Sequence, residues 1–321
     1  MPQPTLMPDS NIWRYLVDED AIEAVRMEAK RRRVAIVACP AVVYEALRDP
    51  DANRRHRLLR AMTLGSWTRL MSESYTEANE LRAEIVRLRP AWLEPQPDLQ
   101  DWYRLQADWK GGFWRRGRHD TRAEAARVTL LEARRNDTAR EERRRERQQA
   151  RERGWDIANV PLDLTDSFTI PVPGWDGEPF QAWRSVGLNR YWVSLLAGKG
   201  ADWDWLSPWL AVPLVLADQA SWVAMWLYET DASHVPHQWL RWAFDLVQST
   251  QRINDGTVFD NQIANYLPHC DAFITSDTRF VRQIEKVRPH SPIELAQAVL
   301  APSGSAAVEA TMCAIANLSE G

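Results

Sequence analysis

Two separated segments of the chain alternate short apolar runs with helical patterns. Near the amino end, the runs PTLM and VAIVAC each precede a helical pattern, and near the carboxyl end DAFIT lies between two helical patterns. Alternation of this kind builds a parallel sheet covered by helices. Each segment supplies at most two strands, which are too few for a stable sheet. The sequence therefore predicts a single α/β domain formed by both ends of the chain.

The region between the two ends has a different composition. It contains almost no β-branched runs, and fifteen of the seventeen tryptophans of the 321-residue chain lie between Trp92 and Trp242. From Trp114 to Gly154 there are fourteen arginines and eight acids, a balance of 14 − 8 = +6. Glutamate and arginine alternate at helical spacing in the second half of that stretch, as in a solvated helix. We predict a mainly helical, Trp- and Arg-rich insertion.

These patterns define the expected organisation of the chain. Residues 1–71 and 255–300 form the discontinuous α/β domain, and residues 72–254 form the insertion. The segment HSPIELAQAVL is expected to close the domain with a turn and a helix. The tail, residues 301–321, has small side chains and weak patterning, so it is expected to be partly ordered at best.

Composition narrows the class of protein. The net charge is −4, with 40 basic and 44 acidic residues, which excludes the strongly basic signature of a DNA-coating protein. Three scattered cysteines without CxxC spacing argue against a disulfide framework or zinc site, and for a reducing compartment. The amino end has no basic and apolar leader pattern, so a cytoplasmic protein is expected. The most apolar stretch, Trp205–Tyr228, is interrupted by two prolines and Asp218, which favours two buried helices over a membrane span.

Four acidic residues stand where strands are expected to give way to helices. They are Asp9, Glu45, Asp260 and Asp277. In an open α/β sheet the carboxyl ends of the strands converge on the ligand crevice. Carboxylates brought together there repel one another unless a hard cation lies among them, and oxygen ligands suit Mg²⁺ or Mn²⁺. The pattern predicts a divalent metal site that could activate water.

Each of these acids also has a simpler interpretation. Asp9 and Asp277 are good helix N-caps, Asp260 in a first turn suits the helix dipole, and Glu45 could lie on a plain surface. The recurrence of all four at one predicted sheet edge favours the metal site, since caps alone do not require it.

Four sequence motifs resemble those of the PIN-domain ribonucleases. They are MPDSN (7–11), CPAVVYEAL (39–47), VFDNQIANYLPHCDAFITSDTRF (258–280) and SPIELAQAV (291–299). Each motif is short, but the four occur in the family's order, with 17 residues from Asp260 to Asp277. The resemblance covers roughly residues 1–70 and 255–300, and the insertion would include the family's central helices.

The resemblance implies a PIN-like twisted parallel sheet and a metal-dependent endoribonuclease. Asp9, Glu45, Asp260 and Asp277 would bind Mg²⁺ or Mn²⁺, and a metal-activated water would hydrolyse the RNA. The supporting polar groups would be Asn11, Thr275 and Ser276. Members of the family serve as toxins of toxin–antitoxin pairs, so an antitoxin protein and a homodimer are the partners to consider. Two alternatives stay open: a non-catalytic PIN-like scaffold that binds protein or RNA through its insertion, and a structure-specific DNA nuclease.

The segment GGFWRRGRH is a second candidate for contact with nucleic acid. It combines flexible glycines with aromatic and basic side chains, of which Trp114, Arg115, Arg116 and Arg118 are the predicted binding residues.

His234 and His237, in HVPH, could suggest a metal site. No nearby cysteine or third histidine completes a ligand set, so a loop with two surface histidines is predicted.

Overall fold

The computed structural model describes residues 3–133, 136–251 and 257–320, without the side chains of residues 129–143 and 257–260. Five strands form one parallel sheet in the order β3-β2-β1-β6-β7, and two further strands pair antiparallel in the insertion. The strands are β1 Thr5–Pro8, β2 Ala35–Ala38, β3 Thr68–Arg69, β4 Thr165–Asp166, β5 Phe180–Gln181, β6 Ala272–Thr275 and β7 Gln297–Leu300. This confirms the predicted α/β sheet formed by both ends of the chain.

Helices make up most of the rest of the described chain. They are α1 Ser10–Asp18, α2 Ile22–Arg32, α3 Pro40–Leu47, α4 Ala52–Met62, α5 Glu73–Leu88, α6 Gln100–Ala107, α7 Phe113–His119, α8 Thr121–Ala133, α9 Asn136–Glu152, α10 Ala182–Ala197, α11 Ala201–Leu206, α12 Val212–Ala217, α13 Gln219–Ala224, α14 Pro236–Ser249, α15 Thr257–Ala264, α16 Thr278–Val287 and α17 Ala306–Leu318. Among the described residues, none of these helices combines the length and the apolarity that crossing a membrane requires.

The register of the sheet places the motifs from both ends of the chain side by side. Leu6 in β1 lies opposite Ala272 in β6 on one side and opposite Ile36 in β2 on the other. The three central strands are buried, as expected for a parallel sheet covered by helices. Because β1 is central, the residues that follow β2 and β6 flank those that follow β1.

Two predictions for the carboxyl end of the chain are wrong. The run that was expected to form a helix supplies β7, whose Ala298 pairs with Phe273 of β6. A neighbouring strand offers a complete ladder of hydrogen bonds, and this tertiary pairing outweighs the helical preference of the sequence. The tail is ordered as α17, which packs against α1, α2, β1 and β6. The buried residues of α17 recur at helical spacing, but most have small side chains, so the sequence pattern does not reveal them. They are Ala307, Thr311, Ala314 and Ile315.

The insertion is helical, as predicted, and is joined to the sheet by a continuous apolar core. Trp222 and Trp226 are completely buried, and α12 and α13 meet at Asp218 as expected. Gly187 in α10 lies so close to the Trp226 ring that a Cβ atom there would be 2.4 Å from it. Glycine at this position therefore allows α10 and the tryptophan to pack together.

A buried ion network ties the helices of the insertion to one another. The carboxylate of Glu77 in α5 lies 2.6 Å from Nη2 of Arg190 and 2.8 Å from Nε of Arg241. Arg190 also binds Asp202 at 2.5 Å. Burial opposes the charge of Glu77, but the two guanidinium groups hold the pKa of this carboxyl down at about 2. Helices α5, α10, α11 and α14 are thus fixed by charges that have partners inside the protein.

Candidate active site

Asp9 lies directly after the central strand, at the carboxyl edge of the sheet. Its backbone N–H donates to the carbonyl of Ile274 at 2.9 Å, which continues the ladder between β1 and β6. Its buried side chain accepts three hydrogen bonds, from Ser10 N at 2.7 Å, Asn11 Nδ2 at 2.8 Å and Thr275 Oγ1 at 2.5 Å. Burial, with the charge of Asp277, nevertheless raises the pKa of Asp9. The carboxylate is held in one orientation but is not neutralised by any basic group among these contacts.

Asp277 follows the neighbouring strand and lies beside Asp9. Its Oδ1 accepts from the backbone N–H groups of Arg279 at 2.7 Å and Phe280 at 3.1 Å, so it caps α16. Its own N–H donates to Thr275 Oγ1 at 3.0 Å. All of its described hydrogen bonds leave Oδ2 without a donor. Asp277 is therefore a cap, as one interpretation of the sequence held, and it keeps one oxygen available for another contact.

Thr275 and Asn11 connect the two aspartates. The fully buried Thr275 hydroxyl donates to Asp9 and accepts from the backbone N–H of Asp277. The Asn11 amide donates to Asp9, and its oxygen accepts from Ser276 N at 3.2 Å. The three residues predicted as supporting polar groups thus lie in one network with Asp9 and Asp277.

Glu45 approaches the same edge from α3. It is partly buried about one turn into this helix. Burial and the charge of Asp9 raise the pKa of Glu45 to about 7, against the opposing effects of the Ser10 hydrogen bond and of Arg48 and Arg14. Asp9 therefore lies within electrostatic range of both Glu45 and Asp277, between the two.

The fourth predicted acid lies at the limit of the described structure. Asp260 belongs to α15, which packs against α3, the helix of Glu45. The position of its side chain lies outside the described residues. Within the side chains that are described, no three His, Cys, Asp or Glu residues are grouped closely enough to hold one metal ion. Asp9, Glu45 and Asp277 share an electrostatic neighbourhood without forming a closed ligand set.

A further acid near this edge was missed by the sequence interpretation. Glu73 begins α5, just after the carboxyl end of β3, and its Oε2 accepts from the Tyr266 hydroxyl at 2.9 Å. Burial raises the pKa of the Cys39 thiol to about 12, and the charges of Asp9 and Glu73 contribute. Cys39 thus lies within range of both acids. An acid that follows a strand is a candidate for this edge, and Glu73 follows β3. It was missed because β3 has only two residues and could not be predicted as a strand from the sequence.

Three of the four side chains of the second predicted nucleic-acid surface are buried or bound to neighbouring groups. Trp114 is completely buried and donates its indole N–H to the carbonyl of Trp109 at 2.9 Å, so its predicted stacking role is wrong. Arg116 is paired with Asp108 and Glu124. Arg118 donates to the carbonyls of Arg60 at 3.1 Å and Thr63 at 3.3 Å. Arg116 and Arg118 thus hold α7 against the neighbouring parts of the chain, among them the end of α4.

Arg115 is the exception in this segment, since its side chain is exposed. A contact between this residue and nucleic acid stays a prediction.

The histidine pair of HVPH is not a surface loop. His237 lies in the first turn of α14 and is only 4% exposed. Its Nδ1 contacts Glu80, and its Nε2 lies 3.2 Å from Nε2 of His269, which precedes β6. The prediction of two surface histidines is wrong for His237, because α5 supplies a partly buried carboxylate, that of Glu80, which the local sequence cannot reveal.

Comparison with protein-family models, with curated proteins and with solved structures finds no match to this chain.

Proposed function

We propose that this protein is a PIN-like, metal-dependent nuclease that hydrolyses RNA. The observation that carries the proposal is the position of Asp9 at the carboxyl edge of the parallel sheet, in electrostatic contact with Glu45 and Asp277. Sheets of this class bind their ligands at that edge. The four motifs that resemble the PIN family contribute these same residues.

The side chains at this edge fit a hard divalent cation. All of the candidate ligands are carboxylate oxygens, which Mg²⁺ and Mn²⁺ prefer. Burial, with a smaller effect of the neighbouring acids, raises the pKa values of Asp9 and Glu45, and a bound cation would favour their charged forms. Asp9, Glu45 and Asp277 would hold the ion, with Asp260 as a fourth ligand by resemblance. When bound, the ion supplies an activated water and neutralises phosphate charge.

The residues of the chain have distinct tasks in this proposal. Thr275 and Asn11 fix the orientation of the Asp9 carboxylate through direct hydrogen bonds. Asp277 offers its free Oδ2 while Oδ1 remains bound to α16. Glu45 releases a proton near neutral pH when positive charge approaches its carboxyl, because its pKa is about 7.

The test is cleavage of labelled single-stranded RNA with Mn²⁺, and with flap DNA offered alongside it. Asp277→Asn should lower RNA cleavage by more than about 100-fold, since the loss of outer-shell residues alone costs roughly 10–100-fold in metal sites. Asparagine is as good an N-cap as aspartate, so α16 should stay intact. The matched control is Asp218→Asn, which changes the cap of α13 in the insertion and should leave cleavage unchanged.

The same experiment separates the alternatives. Cleavage by Asp277→Asn at the wild-type rate would contradict the assignment of the site. A preference for flap DNA would favour the structure-specific DNA nuclease. Binding of RNA or protein without cleavage of either nucleic acid would favour the non-catalytic scaffold. The toxin role, with an antitoxin protein and a homodimer as partners, rests on the family resemblance alone.

A further inference from the structure

Polar side chains from three different junctions meet beside the acidic edge. Tyr15 lies on α1, Ser276 follows β6, and Ser303 follows β7. The backbone N–H of Ala301 donates to the carbonyl of Thr275 at 2.8 Å, which fixes the end of β7 next to the end of β6. Gly304 then adopts a φ of 71°, a left-handed conformation that suits glycine and turns the chain into α17. This turn keeps Ser303 at the same edge.

The Tyr15 hydroxyl is the common point of these side chains. The side chains of Ser276 and Ser303, followed by that of Arg14, lower the pKa of the Tyr15 hydroxyl. Tyr15 as a residue is only partly buried. Ser276 adjoins Asp277 in the chain and is tied to Asn11, so this group of hydroxyls borders the carboxylates directly.

Arg14 adds a positive charge to the hydroxyl group. Its side chain is exposed, and its guanidinium lies 5.6 Å from the centre of the Tyr15 ring. Its charge also reaches Glu45. Among the described residues, Arg14 makes no ion pair within 4.0 Å of a carboxylate. An exposed cation next to several acids, but not bound to one, can accept an anionic ligand without breaking an existing ion pair.

This combination matches the chemistry of a nucleic-acid phosphate. Phosphate oxygens accept most of their protein hydrogen bonds from arginine and from hydroxyl and backbone groups. Hydroxyl hydrogens rotate to suit an acceptor, and the guanidinium supplies fixed donors. The carboxylates on the other side would repel an anion, so the positive charge must lie at the border, where Arg14 is.

We propose that Arg14, Tyr15, Ser276 and Ser303 form a subsite for a phosphate of the polynucleotide strand, next to the phosphate that is cleaved. The inference rests on the proposed nuclease function and extends it from the carboxylates to substrate positioning. Arg14 binds the phosphate by charge, and the Tyr15 and Ser303 hydroxyls donate to its oxygens. These are positioning residues, because the reacting phosphate lies at the carboxylates.

The experiment measures the binding of labelled single-stranded RNA in the Asp277→Asn background, at several salt concentrations. Arg14→Gln should weaken binding about tenfold and reduce the slope of log K against log salt by about 1, since one phosphate contact is lost. Tyr15→Phe and Ser303→Ala should weaken binding by smaller factors without changing the slope, because neither removes a charge. Arg104→Gln is the control, as it removes an exposed arginine on α6. Circular dichroism checks that each variant folds.

A set of RNA strands, each with one neutral methylphosphonate, identifies the phosphate. At one position the substitution should weaken binding to the parent protein, yet have no further effect on Arg14→Gln. The proposal is wrong if Arg14→Gln matches Arg104→Gln in affinity and salt slope, whereas the nuclease function stands if the wild type still cleaves RNA. If the wild type neither cleaves nor binds RNA or flap DNA with Mn²⁺, the proposed function fails, and the subsite fails with it.

Discussion

His269 should make this protein lose stability between neutral and mildly acidic pH. Burial and the neighbouring His237 lower the pKa of His269 to about 4, from an ordinary value near 6.5. Below about pH 6.5 the unfolded chain binds a proton at this imidazole that the folded protein does not bind. Stability from this group is therefore complete above about pH 6.5 and declines as the pH falls towards about 4.

The size of the effect follows from the difference between the two pKa values. A difference of about 2.5 pKa units corresponds to about 3 kcal/mol over the whole range, at 1.36 kcal/mol per unit. Between pH 7.5 and pH 5.0, about 2 kcal/mol of that should be lost. Other groups titrate in the same range, including Glu45, whose pKa burial and the charge of Asp9 raise to about 7. The contribution of His269 must therefore be measured as a difference between proteins.

The assay is urea unfolding of the wild type and of His269→Gln at pH 7.5 and 5.0. His269→Gln should lose about 2 kcal/mol less than the wild type over this interval, whatever its stability at pH 7.5. His290→Gln, which changes an exposed histidine, should follow the wild type. NMR of the histidine rings gives a direct check, because the ring signals of His269 should not shift above pH 5. Parallel stability profiles for the wild type and His269→Gln would refute the reasoning.

Two further predictions concern the packing of the insertion. Glu77→Gln should destabilise the protein by about 3–5 kcal/mol in thermal or urea unfolding, because it removes the buried carboxylate that pairs with Arg241 and leaves Arg190 with Asp202 alone. Asp101→Asn, which breaks an exposed pair, should change stability by less than about 1 kcal/mol. An effect of Glu77→Gln as small as that of Asp101→Asn would contradict the structural role of the network. Gly187→Ala should cost about 1–3 kcal/mol, since its Cβ would overlap the Trp226 ring, whereas Gly65→Ala, with no atom within 4 Å, should be tolerated. Equal stabilities of the two alanine variants would show that the ring can move aside.

The sequence predicted the sheet where local and tertiary preferences agree. The runs around Leu6, Ile36 and Phe273 are short, apolar and bounded by helix signals, so they form strands in almost any α/β arrangement. The prediction from sequence was wrong where pairing with a distant strand determined the secondary structure. Residues 297–300 carry no strand pattern, but the edge of β6 offers them backbone partners. The pairing energy comes from a strand that is adjacent in space and more than twenty residues away in the chain.

The candidate site divides in the same way. Asp9, Glu45 and Asp277 could be named from the sequence, because each follows a strand and acids at such positions share one sheet edge. Tyr15 and Ser303 could not, since neither belongs to a motif and they approach each other only when β7 and α17 are in place. Trp114 shows the opposite error. The aromatic and basic composition of its segment suggested a binding surface, but the fold buries the Trp114 side chain completely.

The sequence by itself determined the class of the fold and the acids of its edge, because strand runs, helix patterns and the residues between them are local properties. Only the tertiary structure decided which of these groups are available. It fixed Asp9 with three donors and left one oxygen of Asp277 free. It also buried His237 against Glu80. Burial and hydrogen bonding depend on what packs against a side chain, and those neighbours come from distant parts of the chain.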